Sequence, residues 1–170
     1  IRENVTINRG TAAKGKTCVG SGNLLMESVH VAHDAFVGND CIIGNGTKLA
    51  GEIIIDDHAI ISANVLMHQF CRVGGYTMVG GGTRFSQDIP PYTICAREPV
   101  AYCGLNLVGL RRRGFSNELI ENIHNAYRII YQGGVPLNEA LQKVREEVPA
   151  SPEINYIIEF IENSKRGFVH

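Results

Sequence analysis

The stretch LMESVH-VAHDAF-VGNDCI-IGNGTK-LAGEII-IDDHAI, running from Leu25 to Ile60, decides the fold when written six residues to a line. Every line opens on a branched aliphatic residue: Leu25, Val31, Val37, Ile43, Leu49 and Ile55. The same step reaches back through Val19, Ala13 and Ile7 to Ile1 and forward through Ile61, Met67, Val73 and Val79 to Phe85. Fourteen of these fifteen positions carry a large apolar residue, where about half would by composition alone. Only Ala13 breaks the series, inside a Gly/Lys-rich stretch from Ala12 to Thr17 that reads as a loop.

A period of six matches neither the 3.6-residue helix nor simple strand alternation. It is the mark of a hexapeptide parallel β-helix, each hexad a short strand and a turn. The slot after the apolar residue is small or turn-forming (Gly20, Ala32, Gly38, Gly44, Ala50, Gly74, Gly80), as a tight corner requires. Four residues on comes a second small or β-branched set, among them Val29, Ala35, Cys41, Thr47, Ala59 and Val65. Three hexads per turn stack residue i on i+18 at about the 4.8 Å spacing of neighbouring strands. Residues 1–90 thereby supply five coils. The register is already established at Ile1, which is not Met, so upstream sequence is expected.

The pattern stops at Pro90-Pro91, which remove ladder donors. Three segments follow from this: a hexapeptide β-helix over 1–91, an irregular connector over 92–113, and a small helical domain over 114–170. In the last, Ser116 is an N-cap and Ile120, Ile123, Tyr127 and Ile130 make an apolar stripe ended by Gly133-Gly134. A second helix is expected over Asn138–Val148 and a third from Ser151-Pro152 through Ile161, the set capping or flanking the coil.

Charge and cysteine narrow the function. A formal net charge of -1 offers no global field for nucleic acid or an anionic membrane. No apolar run approaches the ~20 residues of a membrane span. The five cysteines include no C-x-x-C pair, which argues against a disulfide framework or structural zinc and for a reducing compartment.

The eighteen-residue stack then acts as a geometric tool. His33, Gly51 and Gln69 fall in one column, Asp34 and Glu52 in the next, Ala32, Ala50 and His68 in the one before. His33 thus faces a glycine whose backbone N–H is open to a ligand, and a base beside an N–H donor is the minimum apparatus for acyl transfer. A single histidine at a solenoid corner is more often merely solvated. The second histidine at His30, the adjacent Asp34 and the stacked Gly51 bring the catalytic reading level with the solvated one.

The motifs Val5-Thr6-Ile7-Asn8-Arg9-Gly10-Thr11, Asn23-Leu24-Leu25-Met26, His30-Val31-Ala32-His33-Asp34, Leu49-Ala50-Gly51, His68-Gln69-Phe70-Cys71, Gln87-Asp88-Ile89-Pro90-Pro91-Tyr92 and Gly109-Leu110-Arg111-Arg112-Arg113-Gly114-Phe115-Ser116 resemble those of the UDP-N-acetylglucosamine O-acyltransferases. The resemblance runs along the whole chain, including Asn125-Ala126-Tyr127 in the tail. It implies a left-handed coil, against the usual right-handed crossover. It also implies transfer of an (R)-3-hydroxyacyl group from acyl carrier protein to the glucosamine 3-hydroxyl of UDP-N-acetylglucosamine, the first step of lipid A biosynthesis. His33 then matches the general base, Asp34 the carboxylate that orients it, and the Gly51 N–H the oxyanion donor. His30, His68 and Gln69 match positions near the sugar and the reacting groups. Asn106, Arg112 and Arg113 match positions around the nucleotide, although a solvated basic run or a carrier-protein contact fits the arginines as well. Gly81 matches the position that limits acyl length, and its bare Cα implies a chain of fourteen carbons or more.

The family also implies a homotrimer with sites between subunits, a cytoplasmic home in a Gram-negative bacterium, and no cofactor or metal beyond the donor's own phosphopantetheine. Asn8 and Glu52 stand where better-known members carry His, Val108 where they carry a carboxylate, and Pro99 where they carry a His near the acyl groove. These departures bear on substrate binding and chain length. Two rivals are weaker matches: the N-acyltransferase of the same pathway, which has a different tail, and a γ-type carbonic anhydrase using His30, His33 and His68 as zinc ligands.

Overall fold

The computed structural model describes all 170 residues. Thirteen two-residue strands wind into a parallel β-helix. They are β1 (Thr6–Ile7), β2 (Cys18–Val19), β3 (Leu24–Leu25), β4 (His30–Val31), β5 (Phe36–Val37), β6 (Ile42–Ile43) and β7 (Lys48–Leu49). The series continues with β8 (Ile54–Ile55), β9 (Ile60–Ile61), β10 (Leu66–Met67), β11 (Arg72–Val73), β12 (Met78–Val79) and β13 (Arg84–Phe85). They form three parallel sheets, the walls of a triangular prism: sheet A (β1-β4-β7-β10-β13), sheet B (β2-β5-β8-β11) and sheet C (β3-β6-β9-β12).

From β2 onward each strand pairs with one eighteen residues away, as His30 does with Lys48 and Ile42 with Ile60. Both apolar sets of the hexad point inward. Val31, Leu49, Val37, Ile55, Ile43 and Ile61 are fully buried, and so are Val29, Cys41, Thr47, Ala59, Val65 and Cys71 between them. The buried Thr47 hydroxyl is satisfied, donating to the Ser62 carbonyl at 2.8 Å and accepting from Val65 N at 3.1 Å.

The corners carry a regularity that the apolar clock does not announce. From Val19 to Val79 the third residue after each clock position has a positive φ: Ser28 (60°), Asp34 (60°), Asp40 (53°), Glu52 (57°), His58 (63°), Asn64 (56°), Phe70 (68°) and Tyr76 (59°), with Gly22, Gly46 and Gly82 completing the series. Left-handed backbone costs a non-glycine residue roughly 1–2 kcal/mol. The stack compensates: from Ser28 to Gly82 the N–H of every such residue but Asp34 reaches a carbonyl in the coil below, as from Asp40 to Ser21, Glu52 to His33, His58 to Asn39 and Tyr76 to Asp57 at 2.8–3.1 Å.

Three expectations are corrected at the ends of the coil. The first is the coil count. β1 pairs with β4 at an offset of twenty-four residues, Thr6 against His30, because residues 10–17 loop out and skip one hexad. The result is four complete coils and one strand, not five coils. Ala13, inside that loop, stays exposed, since burial needs a stacked neighbour as well as a period.

The second correction is the stop at the prolines. Ile89, just before them, bridges to Val73, and beyond them β14 (Thr93–Ala96) pairs with β12, Ile94 beside Met78, so the last coil closes in sixteen residues. The third is the connector over 92–113, which is not irregular. It contains β14, the antiparallel β15 (Ala101–Leu105) and a short helix α1 (Leu107–Arg112) capped by Asn106.

The tail follows the reading closely. α2 (Asn117–Gln132) is capped by Ser116, α3 (Leu137–Glu147) starts after Pro136, and α4 (Pro152–Glu162) is capped by Ser151. Their apolar stripes meet in one cluster, and Tyr127 and Tyr156 donate to the Pro91 carbonyl and to Asp56. Val169 enters the core of the coil itself. Replacing Ile61, fully buried between Ile43 and Val79, with Ala should cost about 2–5 kcal/mol in urea unfolding.

Candidate active site

His33 occupies the corner between sheets A and B. Val31 and Ala35, both buried, pin the two ends of this corner inside the coil, so the residues between them face outward. The Val31–Leu49 pairing sets the register that brings Gly51 against His33. Contact is close: a Cβ built on Gly51 would lie 2.6 Å from His33 Cε1 and 2.7 Å from Nε2. The imidazole therefore rests on a bare Cα, and any side chain at 51 would displace it. The Gly51 N–H donates to no group of the chain.

The ring is held from the other side. His33 Nδ1 donates to Asp34 Oδ2 at 2.8 Å, which leaves Nε2 free as the basic atom. Asp34 Oδ1 accepts from Thr11 N at 2.9 Å, and Asp34 N donates to Thr17 Oγ1 at 2.8 Å. The Asp34 side chain is 2% exposed and that of His33 42%. Burial pushes the Asp34 carboxyl up, but bonds from the His33 ring and from the main chain and hydroxyl of Thr11 outweigh it. The acid thus ionises below the ordinary aspartate value of 3.8.

A groove of about 660 Å³ runs along sheet A beside this corner. Its lining includes His30, Ala32, Ala50 and His68, and also Lys48, Arg84 and Glu98. His30 Nδ1 is 2.7 Å from Thr6 Oγ1, and His68 Nδ1 donates to the Gln69 carbonyl at 2.9 Å. A second hollow, about 590 Å³, has His33 in its wall with Arg9, Thr11 and Gly15 of the loop. Glu52, one of the departures, pairs with Lys14 of that loop at 3.6 Å. Lys48 and Arg84 escaped the sequence reading although they share the outward slot of His30 on sheet A, and the stack would have revealed them. Thr11 and Thr17 had no such signal, because a loop's return path is set by tertiary contacts.

The remaining site residues lie elsewhere on the chain. Asn106 is buried. Its side chain caps α1 through Gly109 N and donates to the Tyr76 carbonyl at 2.9 Å, so its amide is already committed within the fold. Arg113 Nη1 meets His58 Nδ1 at 3.0 Å and its guanidinium lies over the Tyr76 ring, which places it at the corner between sheets B and C. Arg112 is exposed at the end of the same helix. Gly81 stands at the third corner, between C and A, where an added Cβ would come within 3.3 Å of the Ala63 carbonyl. One chain thus spreads these residues over all three corners. No three His, Cys, Asp or Glu side chains converge within it.

A parallel β-helix of hexads with a carboxylate-held histidine against an open main-chain donor places the chain among the hexapeptide-repeat β-helix proteins. Comparison with known proteins narrows the class. Residues 88–169 match the sequence profile of the UDP-N-acetylglucosamine O-acyltransferase family, domain 2. The chain superposes on the crystal structure of a UDP-N-acetylglucosamine acyltransferase from Bacteroides fragilis with a TM-score of 0.97 and 73% identity, over all of this chain and 67% of that one. The Francisella novicida enzyme gives 0.95 and 37% identity, over 99% of this chain and 62% of that one. An acyl-[acyl-carrier-protein]–UDP-N-acetylglucosamine O-acyltransferase from Aliivibrio salmonicida is 41% identical over 170 residues, 65% of its length.

The chain belongs to the UDP-N-acetylglucosamine O-acyltransferase family, its coil is the left-handed β-helix of that family, and it spans about two thirds of the length of these relatives. This sets aside the N-acyltransferase and carbonic anhydrase readings. Because the folded pKa of Asp34 is lowered, its contribution to stability is complete above about pH 4 and lost as pH falls through that lowered value. Asp34→Asn should flatten this part of the acid side of the stability profile, read from urea midpoints between about pH 2.5 and 5.

Proposed function

We propose that the full-length protein transfers an (R)-3-hydroxyacyl chain from acyl carrier protein to the 3-hydroxyl of the glucosamine ring of UDP-N-acetylglucosamine, opening lipid A biosynthesis in the cytoplasm of a Gram-negative bacterium. The observation that carries this reading is the His33 ring, bonded to Asp34 at 2.8 Å and seated on the bare Cα of Gly51.

The chemistry follows from that arrangement. Nε2 of His33 takes the proton from the acceptor hydroxyl as its oxygen attacks the thioester carbonyl. The new C–O bond leaves a tetrahedral oxyanion, for which the Gly51 N–H is the proposed donor. Asp34 stabilises the imidazolium. Collapse breaks the C–S bond, and the departing phosphopantetheine thiolate takes the proton back from His33. No cofactor enters these steps, and no cysteine need act as nucleophile. Burial pushes Cys41 and Cys71 up to about 11 and Cys95 to about 12, so these core thiols are poor nucleophiles at neutral pH.

Substrate contacts need more than one chain. His30, His68 and Gln69 serve the sugar and the reacting atoms at the His33 corner. Arg112 and Arg113, at a different corner, serve the diphosphate or the carrier protein from a neighbouring subunit. Asn106 contributes by fixing the start of α1, so its part in nucleotide binding is indirect. Gly81 leaves room for a long acyl chain. A homotrimer answers the separation of these corners. It also covers outward apolar residues such as Leu24, Ile42, Phe36, Leu66 and Phe70, each 37–49% exposed in the single chain.

Incubation of the full-length protein with UDP-N-acetylglucosamine and carrier proteins bearing different 3-hydroxyacyl chains should give an O-acylated product identifiable by mass. His33→Ala and Gly51→Ala should each lower kcat by about 10²- to 10⁴-fold with the fold retained. Light scattering should give three chains per particle, and a stable monomer with full activity would refute the shared site.

A further inference from the structure

The left-handed corner slot is bonded in one way along almost the whole coil. From Ser28 to Gly82, its N–H goes to a main-chain carbonyl of the coil below, at 2.8–3.3 Å. Asp34 is the exception. The loop over residues 10–17 replaces the coil beneath it, and its N–H goes instead to the hydroxyl of Thr17 at 2.8 Å. The same loop supplies Thr11 N to Asp34 Oδ1 at 2.9 Å, and the loop's Lys14 lies 3.6 Å from Glu52 beside Gly51. The coil is thus interrupted at the one corner where a carboxylate must hold an imidazole.

We infer that the looped-out hexad is a positioning element for the His33–Asp34 pair, with Thr17 and Thr11 as its positioning residues. Asp34 meets three demands at once: a φ of 60°, a buried carboxylate and a fixed direction toward Nδ1. Thr17 Oγ1 holds its backbone, and Thr11 N–H occupies the oxygen that does not face the histidine. The two bonds together leave Oδ2 for His33 alone. Neither threonine touches the reacting atoms, and each acts through Asp34. The exposed Lys14–Glu52 pair adds little by itself, as surface pairs do. It ties the middle of the loop to the same corner.

This inference rests on the acyl-transfer reading, and the test separates the two. In the full-length protein, Thr17→Val should lower kcat about 10- to 100-fold with KM within about twofold, since a small displacement of a catalytic pair is costly. Thr17→Ser, which restores the acceptor, should keep wild-type kcat. Thr11→Pro, which removes the N–H and the hydroxyl that face Asp34 at an exposed position, should reproduce the Thr17→Val loss and keeps the question open to test if Thr17→Val folds poorly. Thr47→Val removes a more deeply buried hydroxyl away from this corner and should cost stability without lowering kcat.

A substrate-independent reading comes from the low-field proton resonance of His33 Nδ1–H, present in wild type and weakened or lost in Thr17→Val. A wild type with this resonance but no acyl transfer would overturn the functional reading alone. A Thr17→Val variant keeping both the resonance and kcat, or a Thr47→Val variant losing as much kcat, would overturn the positioning role.

Discussion

The structure depends on one repeated hydrogen bond, from a left-handed corner residue to the carbonyl of the coil below. Eight non-glycine residues from Ser28 to Tyr76 sit in backbone that isolated residues avoid, among them bulky Phe70 and Tyr76. What makes this tolerable is stacking. Each corner is bonded to its neighbour, and both flanking side chains of the hexad are buried in a continuous core. Stability is therefore a property of adjacent coils and not of any one hexad, as in other solenoids.

The same register makes the candidate site. A step of eighteen residues carries Val31 to Leu49 and so lays the His33 ring on Gly51. Chemistry here is a consequence of packing: the inward residues on either side of the corner lock the backbone, and the residue between them has only one way to face. Asp34 combines the corner turn with the hold on His33 Nδ1. The loop over residues 10–17 is where the regular solution gives way, and it does so against this corner.

The division of the candidate site residues over three corners has a physical meaning. A triangular prism presents its edges about 120° apart, so no single ligand can touch all of them on one chain. A site that uses His33 and Arg113 together must be completed by a second copy of the chain. The outward apolar residues on the sheet faces suit burial between such copies.

Much of this was legible in the residue order. The six-residue clock, the eighteen-residue column of His33, Gly51 and Gln69, the helix caps Ser116 and Ser151, and the apolar stripes of the tail are local or strictly periodic, so spacing alone reveals them. Other features depend on where the chain returns after it leaves the pattern. The skipped hexad at residues 10–17, the shortened last coil that brings Ile94 beside Met78, the strands within 92–113 and the commitment of Asn106 to a helix cap belong to this kind. Sequence by itself determined the period, the core and the pair at His33 and Asp34, because periodic burial leaves a mark at every sixth residue. Only the tertiary structure decided what holds that pair in place, because a hydrogen bond across a loop depends on a closure that no local spacing records.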